Sequence, residues 1–497
     1  MIEGRLGRLP IRLLALVGAI LVLLIAMGRP PAGPPPAAAS HGGPWHVVQR
    51  VSVASDGTQG NDNSWDPSIS ADGRYVAFFS HASNLVPGDT NGKADVFVHD
   101  RVTGQTTRVS VASDGTEGNG YSWFPSISAD SRYVAFHSAA SNLVPGDTNG
   151  KVDVFVHDRV TGQTTRVSVA SDGTQGNDNS WDPSISADGR YVAFVSGASN
   201  LVPGDTNGKW DVFVHDRLTG QTARVSVASD GTEGNGYSWF PSISADGRYV
   251  AFESIASNLV PGDTNGVSDV FVHDRLTGQT TRVSVASDGT QGHSASDHPS
   301  ISADGRYVAF ESFASNLVPG DTNGKRDVFV HDRLTGQTAR VSVASDGTQG
   351  NGDSIYPSIS ADGRYVAFVS GASNLVPGDA NGNIDVFIAA AAEPTAMRLQ
   401  WGDVNCSGDV DAVDALQLLR HTVQLPVSQQ EPCPDIGVTV SVDGTPRLWG
   451  DVDGSGDVNA VDALKILRYV AMLPVQQQPG TPPIGREVEV GPSGGSE

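Results

Sequence analysis

Six copies of one unit, four strand-like segments within each copy, and a spare strand sequence ahead of the first predict an all-β fold: a six-bladed β-propeller followed by a small α-helical domain. The copies begin at Arg50, Arg108, Arg166, Arg224, Arg282 and Arg340, a spacing of 58 residues that never drifts. A period of this length marks a supersecondary unit that buries its faces against its neighbours. Abundant glycine and proline with few aromatics agree with short strands and turns before residue 400.

Within the first copy, Pro67-Ser68-Ile69-Ser70 reads as a strand, Ala71-Asp72-Gly73-Arg74 as an Asp-Gly turn and Tyr75-Val76-Ala77-Phe78 as a second strand. A long loop from His81 to Ala94 leads to Asp95-Val96-Phe97-Val98-His99, and Val102 to Gln105 turns the chain into Thr107-Arg108-Val109-Ser110-Val111. Four short strands rich in β-branched and aromatic residues make a blade. The sixth copy runs from Asp385-Val386-Phe387-Ile388 into four alanines and has no fourth strand. Val47 to Val53 matches the fourth-strand sequence, so the ring is expected to close by pairing that segment beside Asp385–Ile388, leaving no open edge.

The two long loops of each blade are expected on one face, and there the copies differ. Asn61 to Asp66 differs from His293 to His298, Lys93-Ala94 from Lys209-Trp210, Val267-Ser268 and Lys325-Arg326. Phe79, His137, Val195, Glu253, Glu311 and Val369, which end the second strand, differ as well. This face is either a binding surface or a solvated one free to drift. Trp65, Trp123, Trp181 and Trp239 share one position, taken by Asp297 and Ile355 in the last two copies, with Tyr356 alongside; they would grip a glycan or peptide, or pack blade on blade. Asp89-Thr90-Asn91-Gly92 with Asp95, repeated in each copy with Ala380 as its one change, would either hold further calcium ions or cap its own backbone. His99, His157, His215, His273 and His331, in identical surroundings, suit a structural role. The repeats hold no Gly-x-Ser-x-Gly elbow, no His-Glu-x-x-His and no phosphate-binding glycine loop, so no catalytic residue is assigned.

The ends of the chain have their own signatures. Arg5, Arg8 and Arg12, an apolar run from Leu13 to Met27, and Ala37-Ala38-Ala39 read as an export signal over residues 1–39, with a membrane anchor as the competing reading. A linker follows at 40–45, the propeller at 46–388 and a second linker at 389–400. With 32 basic against 55 acidic residues, a formal charge of -23 excludes nucleic acid or an anionic membrane as the main partner.

Residues 401–475 carry a duplicated segment, Asp403 to Asp414 and Asp451 to Asp462, each followed by an apolar stripe at helical spacing: Val413, Leu416, Leu419 and Val461, Leu464, Leu467. Oxygen donors at loop positions 1, 3, 5, 9 and 12, a carbonyl at 7 and glycine at 6 are what a calcium loop needs. Cys406 and Cys433 are the only cysteines, forming either a disulfide or two thiols, and residues 476–497 read as a disordered tail.

Two resemblances sharpen these readings. Pro-Ser-Ile-Ser-Ala-Asp-Gly-Arg-Tyr-Val-Ala-Phe, at Pro67–Phe78 and Pro183–Phe194, with Asp95-Val96-Phe97-Val98 as third strand, resembles the repeat of TolB-like six-bladed propellers. The paired loop-helix segments resemble a type I dockerin, which implies two calcium ions, a cohesin-like partner and an extracellular or cell-surface location. The ligands so implied are Asp403, Asn405, Ser407, Asp409 through its carbonyl, Asp411 and Asp414, then Asp451, Asp453, Ser455, Asp457 through its carbonyl, Asn459 and Asp462. Ala412-Val413 and Ala460-Val461 depart from the family's Ser-Thr recognition pair. The expected function is a secreted binding or scaffolding protein, with a polysaccharide-degrading hydrolase or accessory protein as the alternative.

Overall fold

The computed structural model describes residues 49–391 apart from 380 and 381, and residues 397–492 apart from 407–409, 423–433, 435, 437–438, 443–444, 453, 471–474, 476, 478–480 and 485. The expected export signal at 1–39 and the linker at 40–45 lie outside them. Two compact units divide the chain between Ala391 and Ala392.

The first unit is a six-bladed propeller. Blade one comprises Ser64–Ile69, Tyr75–Ser80, Asp95–Asp100 and Thr106–Arg108, and the same elements return in each copy to Ser354–Ile359, Tyr365–Ser370 and Asp385–Ala390 in blade six. Every sheet pairs its strands antiparallel in sequence order, as short turns dictate. The third strand reads Asp-Val-Phe-Val-His-Asp without polar alternation because neighbouring blades cover both of its faces; in blades one to four all six residues are buried. Phe194 and Phe213 stack at 6.0 Å within blade three, and the pair repeats in every blade. Burial of these rings adds to that of the valine, leucine and isoleucine side chains packed between the blades.

Polar contacts lock blade to blade. The Ala71 N–H donates to the Ala129 carbonyl, and the step repeats along the array to Ala303 and Ala361. Arg159 stacks 4.3 Å above Tyr75 of the preceding blade, as Arg217 does on Tyr133, Arg275 on Tyr191 and Arg333 on Tyr249. Gly189 turns at φ 71° directly against the Tyr133 ring, leaving no room for a Cβ. Thr164 Oγ donates to the Val111 carbonyl at 2.5 Å and lies 2.9 Å from His157 Nδ1, an arrangement repeated at His99, His215, His273 and His331. Because the hydroxyl proton is spent on the carbonyl, each histidine donates through Nδ1. Burial holds these imidazoles neutral, with pKa values pushed down to about 4 at His157, His215, His273 and His331.

The segment expected to close the ring falls partly outside the described residues. Blade six has three strands, and no described part of Val47–Val53 pairs with Asp385–Ala390; Val47 and Val48 lie outside the described residues. Gln49 instead reaches His99 and Arg101 of blade one, and the Val53 carbonyl receives Thr106. By the 58-residue period, Thr106–Arg108 correspond to residues 48–50, of which Val48 lies outside the described residues and Gln49 and Arg50 form no strand. Only Thr106–Arg108 forms the strand, and Ser110 turns inward to Asp95 at 2.6 Å, so the following residues cross to the next blade. Val51 to Ser55 makes the same crossing onto blade one. Among the described residues the seam is open: Ile69 is 58% exposed against 7% for its equivalent Ile127, and Val386 is 74% exposed.

The second unit pairs helices Ala412–Thr422 and Ala460–Val470 with a four-stranded sheet in the order Met397–Gln400, Glu487–Pro492, Thr439–Val442, Thr445–Leu448. Trp401 Nε1 donates to the Val452 carbonyl and Trp449 Nε1 to that of Val404, each at 3.4 Å, so the duplicated halves clasp each other reciprocally. The tail expected to be disordered from 476 to 497 contributes a strand and the buried Ile484. Its Glu-Val-Glu-Val alternation has strand period, which the surrounding glycine and proline obscured. The apolar stripes Val413, Leu416, Leu419 and Val461, Leu464, Leu467 are exposed, and Ala415, Leu418, Ala463 and Ile466 face the core.

Candidate functional site

Each inner strand of the propeller carries a register shift just after its tryptophan position, as between Trp65 and Ser68. The bulged residue is Asp66, Phe124, Asp182, Phe240, His298 or Tyr356, with φ between 48° and 53° in all six. Non-glycine residues rarely adopt this conformation, and here it recurs in every blade. A proline follows each one, and the six Xaa-Pro pairs line a cavity of about 390 Å³ where the inner strands converge. The frame is six-fold, but its side chains are not.

A second cavity, of about 480 Å³, opens beside the first over blades two to four. Phe124, His137, Trp181, Asp182, Val195, Trp210, Trp239, Phe240 and Glu253 line it. Register explains the gathering: Trp123 pairs with His137, Trp181 with Val195 and Trp239 with Glu253. Trp210 stands immediately before the third strand and leans on its neighbours, 4.8 Å from Trp181 at 57° and 6.4 Å from Trp239 at 88°. The variable positions of the long-loop face therefore come together, at one rim.

Bulge geometry also accounts for some of the variable polar residues. The Asp182 N–H donates to His137 Nδ1 at 3.3 Å, and the His298 N–H to Glu253 Oε2 at 3.4 Å, each reaching the preceding blade. His137 is thus an acceptor, and burial pushes its pKa down to about 3. Asp182 is pushed up to about 6 by burial, reinforced by the charge of Asp66. Burial raises the Glu253 carboxyl as well.

Blade five shows how a similar acid is neutralised. Arg326 Nη1 lies 2.6 Å from Glu311 Oε1, its other nitrogen lies 3.8 Å from Asp297, and the guanidinium stacks 4.4 Å above Phe313. His298 Nδ1 is 3.2 Å from the same Glu311 oxygen. Burial opposes charging of His298, but Glu311 and the other nearby carboxylates outweigh it and raise its pKa.

Of the residues expected on the ligand face, Trp181 and Trp239 line the larger cavity, and Tyr356 lines the axial one. Trp65 and Trp123 lie outside both, packed on Phe79 and on Tyr121 with His137. Asp297 belongs to the Arg326 cluster. Trp123, Trp181 and Trp239 also pack against interblade cores, so packing and lining are met by the same rings. The bulge residues Phe124, Asp182 and Phe240 escaped sequence reasoning; the available signal was a pre-proline position that changes between copies amid constant neighbours. In the Asp-Thr-Asn-Gly loops, the carboxylates converge on a guanidinium: Arg108 Nη1 lies 3.5 Å from Asp89, 3.3 Å from Asp95 and 2.8 Å from Glu117. That charge fills the place considered for further ions.

In the C-terminal unit, Asp403, Asn405, Asp414, Asp451 and Asp462 are buried. Asp414 accepts the N–H groups of Asn405 at 3.1 Å and Asp411 at 2.8 Å, while Asp451 accepts those of Ser455 at 2.9 Å and Gly456 at 2.8 Å. Burial pushes the Asp414 pKa up to about 6, and the charges of Asp403 and Asp411 add to it. Mutually repelling, buried carboxylates on a tight loop fit a divalent cation, which would remove that repulsion. Ser407, Asp409 and Asp453 lie outside the described residues. Cys406 is disulfide-bonded; Cys433, the other cysteine in the chain, also lies outside them.

Residues 401–471 match the dockerin type I domain model. Dockerin type I domains generally bind calcium, and proteins that carry them are typically extracellular or cell-surface associated. Similar solved structures include TolB from Acinetobacter baumannii, at 19% identity and TM-score 0.34 over 56% of this chain and 53% of that one. Others are the putative TolB from Agrobacterium tumefaciens, at 14% and 0.37 over 66% and 91%, and an oligogalacturonate lyase in complex with manganese, at 16% and 0.41 over 67% and 78%. The chain thus spans about half of the Acinetobacter TolB chain. No curated protein matches it. Among the described residues, no helix is long and apolar enough to cross a membrane.

Proposed function

We propose that this dockerin-bearing propeller is a secreted binding or scaffolding protein, with its ligand taken at the aromatic cavity and its C-terminal unit docked onto a cohesin-type partner. The observation that carries the first half is the convergence of Trp181, Trp210, Trp239, Asp182 and Glu253 on one rim of an otherwise repetitive ring. The docking half is supported by duplicated stripes on the two helices, with Leu416 50% and Leu464 53% exposed. Two equivalent apolar stripes suit burial in a protein interface. Asp403, Asn405, Ser407, Asp409, Asp411 and Asp414, and their counterparts Asp451, Asp453, Ser455, Asp457, Asn459 and Asp462, would hold two calcium ions. The ions would neutralise the loops and fix the helices that present the stripes.

The test is calorimetry of the full chain against a panel of recombinant cohesins, with calcium and with chelator. Calcium-dependent binding that survives Leu416→Asp or Leu464→Asp alone, but is lost in the double variant, is expected. Binding untouched by the double variant would refute the assignment of the stripes.

A second reading, a polysaccharide hydrolase, draws on Asp182 and Glu253, two carboxyls with raised proton affinity on one cavity. A paired acid and base is what glycoside hydrolysis requires. Release of reducing sugar, abolished by Asp182→Asn, would decide for it.

A further inference from the structure

We propose that the cavity over blades two to four binds an organic ammonium ion, with Trp181, Trp210 and Trp239 as its walls and Glu253 as its counter-charge. This rests on the reading of the propeller as a recognition face and names the class of ligand that face takes.

The shape of the aromatic wall comes first. A sugar ring stacks on a flat shelf, whereas Trp210 stands nearly perpendicular to Trp239 and strongly tilted from Trp181. Phe124 and Phe240 line the same cavity, each beside the axis. Indole faces meeting at a corner surround a compact group on several sides, and the negative face of each ring favours a cation there.

The charge of the site comes second, and the chain contains its own comparison. Glu253 and Glu311 occupy the same position in consecutive blades. In blade five, the residue before the third strand is Arg326, which binds Glu311 at 2.6 Å while resting on the Phe313 ring. In blade four, that residue is Ser268, and in blade three it is Trp210. Among the described residues, neither Asp182 nor Glu253 has a lysine or arginine partner. Glu253 accepts the His298 N–H on one oxygen, with the Ser268 side chain beside it, and the positive group acting on it is the His298 imidazole, which Glu311 already engages at 3.2 Å. Burying a carboxylate with only a shared imidazole as counter-charge is costly. An ammonium ligand would supply to Glu253, against indole faces, what Arg326 supplies to Glu311 against Phe313. The formal charge of -23 favours the approach of such a cation.

Choline, and its neutral isostere 3,3-dimethylbutan-1-ol, test the proposal on the full chain by calorimetry and tryptophan fluorescence. Choline is expected to saturate and the isostere to bind at least ~10-fold more weakly, since a desolvated cation on an aromatic face is worth about 2 kcal/mol. Glu253→Gln is expected to weaken choline by a similar factor, with the thermal unfolding midpoint checked to show that the ring remains folded. A parallel arm with Nα-acetyl-lysine amide separates a peptide side chain from a free small amine: tighter lysine binding points to the former, tighter choline binding to the latter. Equal binding of choline and its isostere, or choline binding unchanged in Glu253→Gln, overturns the proposal. If a neutral glycan binds, Trp210→Ala removes that binding and choline does not compete, the cation assignment fails while the recognition face stands. If no glycan, peptide or amine binds, both fail.

Discussion

Replacing His215 by asparagine isolates what one buried imidazole costs the propeller in acid. His215 is 6% exposed, its Nδ1 lies 2.8 Å from Thr222 Oγ1, and that hydroxyl donates to the Val169 carbonyl. Asparagine places an amide N–H where Nδ1 stands, so the contact to Thr222 is kept and the titration is lost. In the folded ring, burial pushes the His215 pKa from the ordinary 6.5 down to about 4. The unfolded chain therefore binds the proton more readily between these values, and stability falls as pH falls through them. At about 1.4 kcal/mol per tenfold change in proton affinity, this single group costs about 3 kcal/mol once the pH reaches about 4. Urea unfolding of both proteins between about pH 7 and pH 4 measures the difference directly. The parent should lose about 2 kcal/mol relative to the variant by about pH 5, and about 3 kcal/mol near pH 4. Comparing the two proteins removes the opposing titration of Asp182 and the other raised carboxyls. A stability difference that does not change with pH, or that changes in the opposite direction, would show that His215 is not held neutral by burial.

The open seam makes a second prediction. Phe213 is wholly buried in blade three, so Phe213→Ala should cost about 3–5 kcal/mol, whereas Phe387→Ala at the half-buried equivalent in blade six should cost less than ~2 kcal/mol in urea melts. Equal costs would mean that blade six is covered in solution. In the C-terminal unit, Asp414→Asn should lower calcium affinity and the chelator-sensitive unfolding transition while leaving the propeller transition in place, as followed by calorimetry. Loss of both transitions together would refute a separate calcium-folded unit.

What the sequence made legible follows from what repeats. Six identical frames announce their strands through Val-Phe-Val runs and Asp-Gly turns, and the duplicated Asp-rich loops announce their donors by position. What repeats does not reveal is which way an edge turns. The fourth-strand sequence reads as five residues of strand, yet Ser110 bonding inward to Asp95 ends the ladder early and sends the chain to the next blade. The same crossing carries Val51 to Ser55 onto blade one, and the fourth-strand equivalent for Asp385–Ala390, residues 48–50, lies partly outside the described residues. The helical stripes were legible as stripes, but their direction was not. Small Ala415 and Ala463 let the two helices approach, so the leucines three residues apart are left outside.

The asymmetry of the cavity has a related origin. At the bulge, backbone strain is set by the frame and paid equally in all six blades, so the side chain there is free to differ: Asp66, Phe124, Asp182, Phe240, His298, Tyr356. The bulge amide points to the preceding blade, where an acceptor is met at His137, Glu253 and Glu311. Placing an acid there raises the question of its counter-charge, and the residue before the third strand answers it differently in each blade. Arg326 closes blade five on itself. Among the described residues, Trp210 and Ser268 leave Glu253 facing an aromatic corner with no lysine or arginine partner, only the His298 imidazole that Glu311 shares. A site is thus made in a symmetric ring by withholding, at one place, the partner that the same fold supplies at the next.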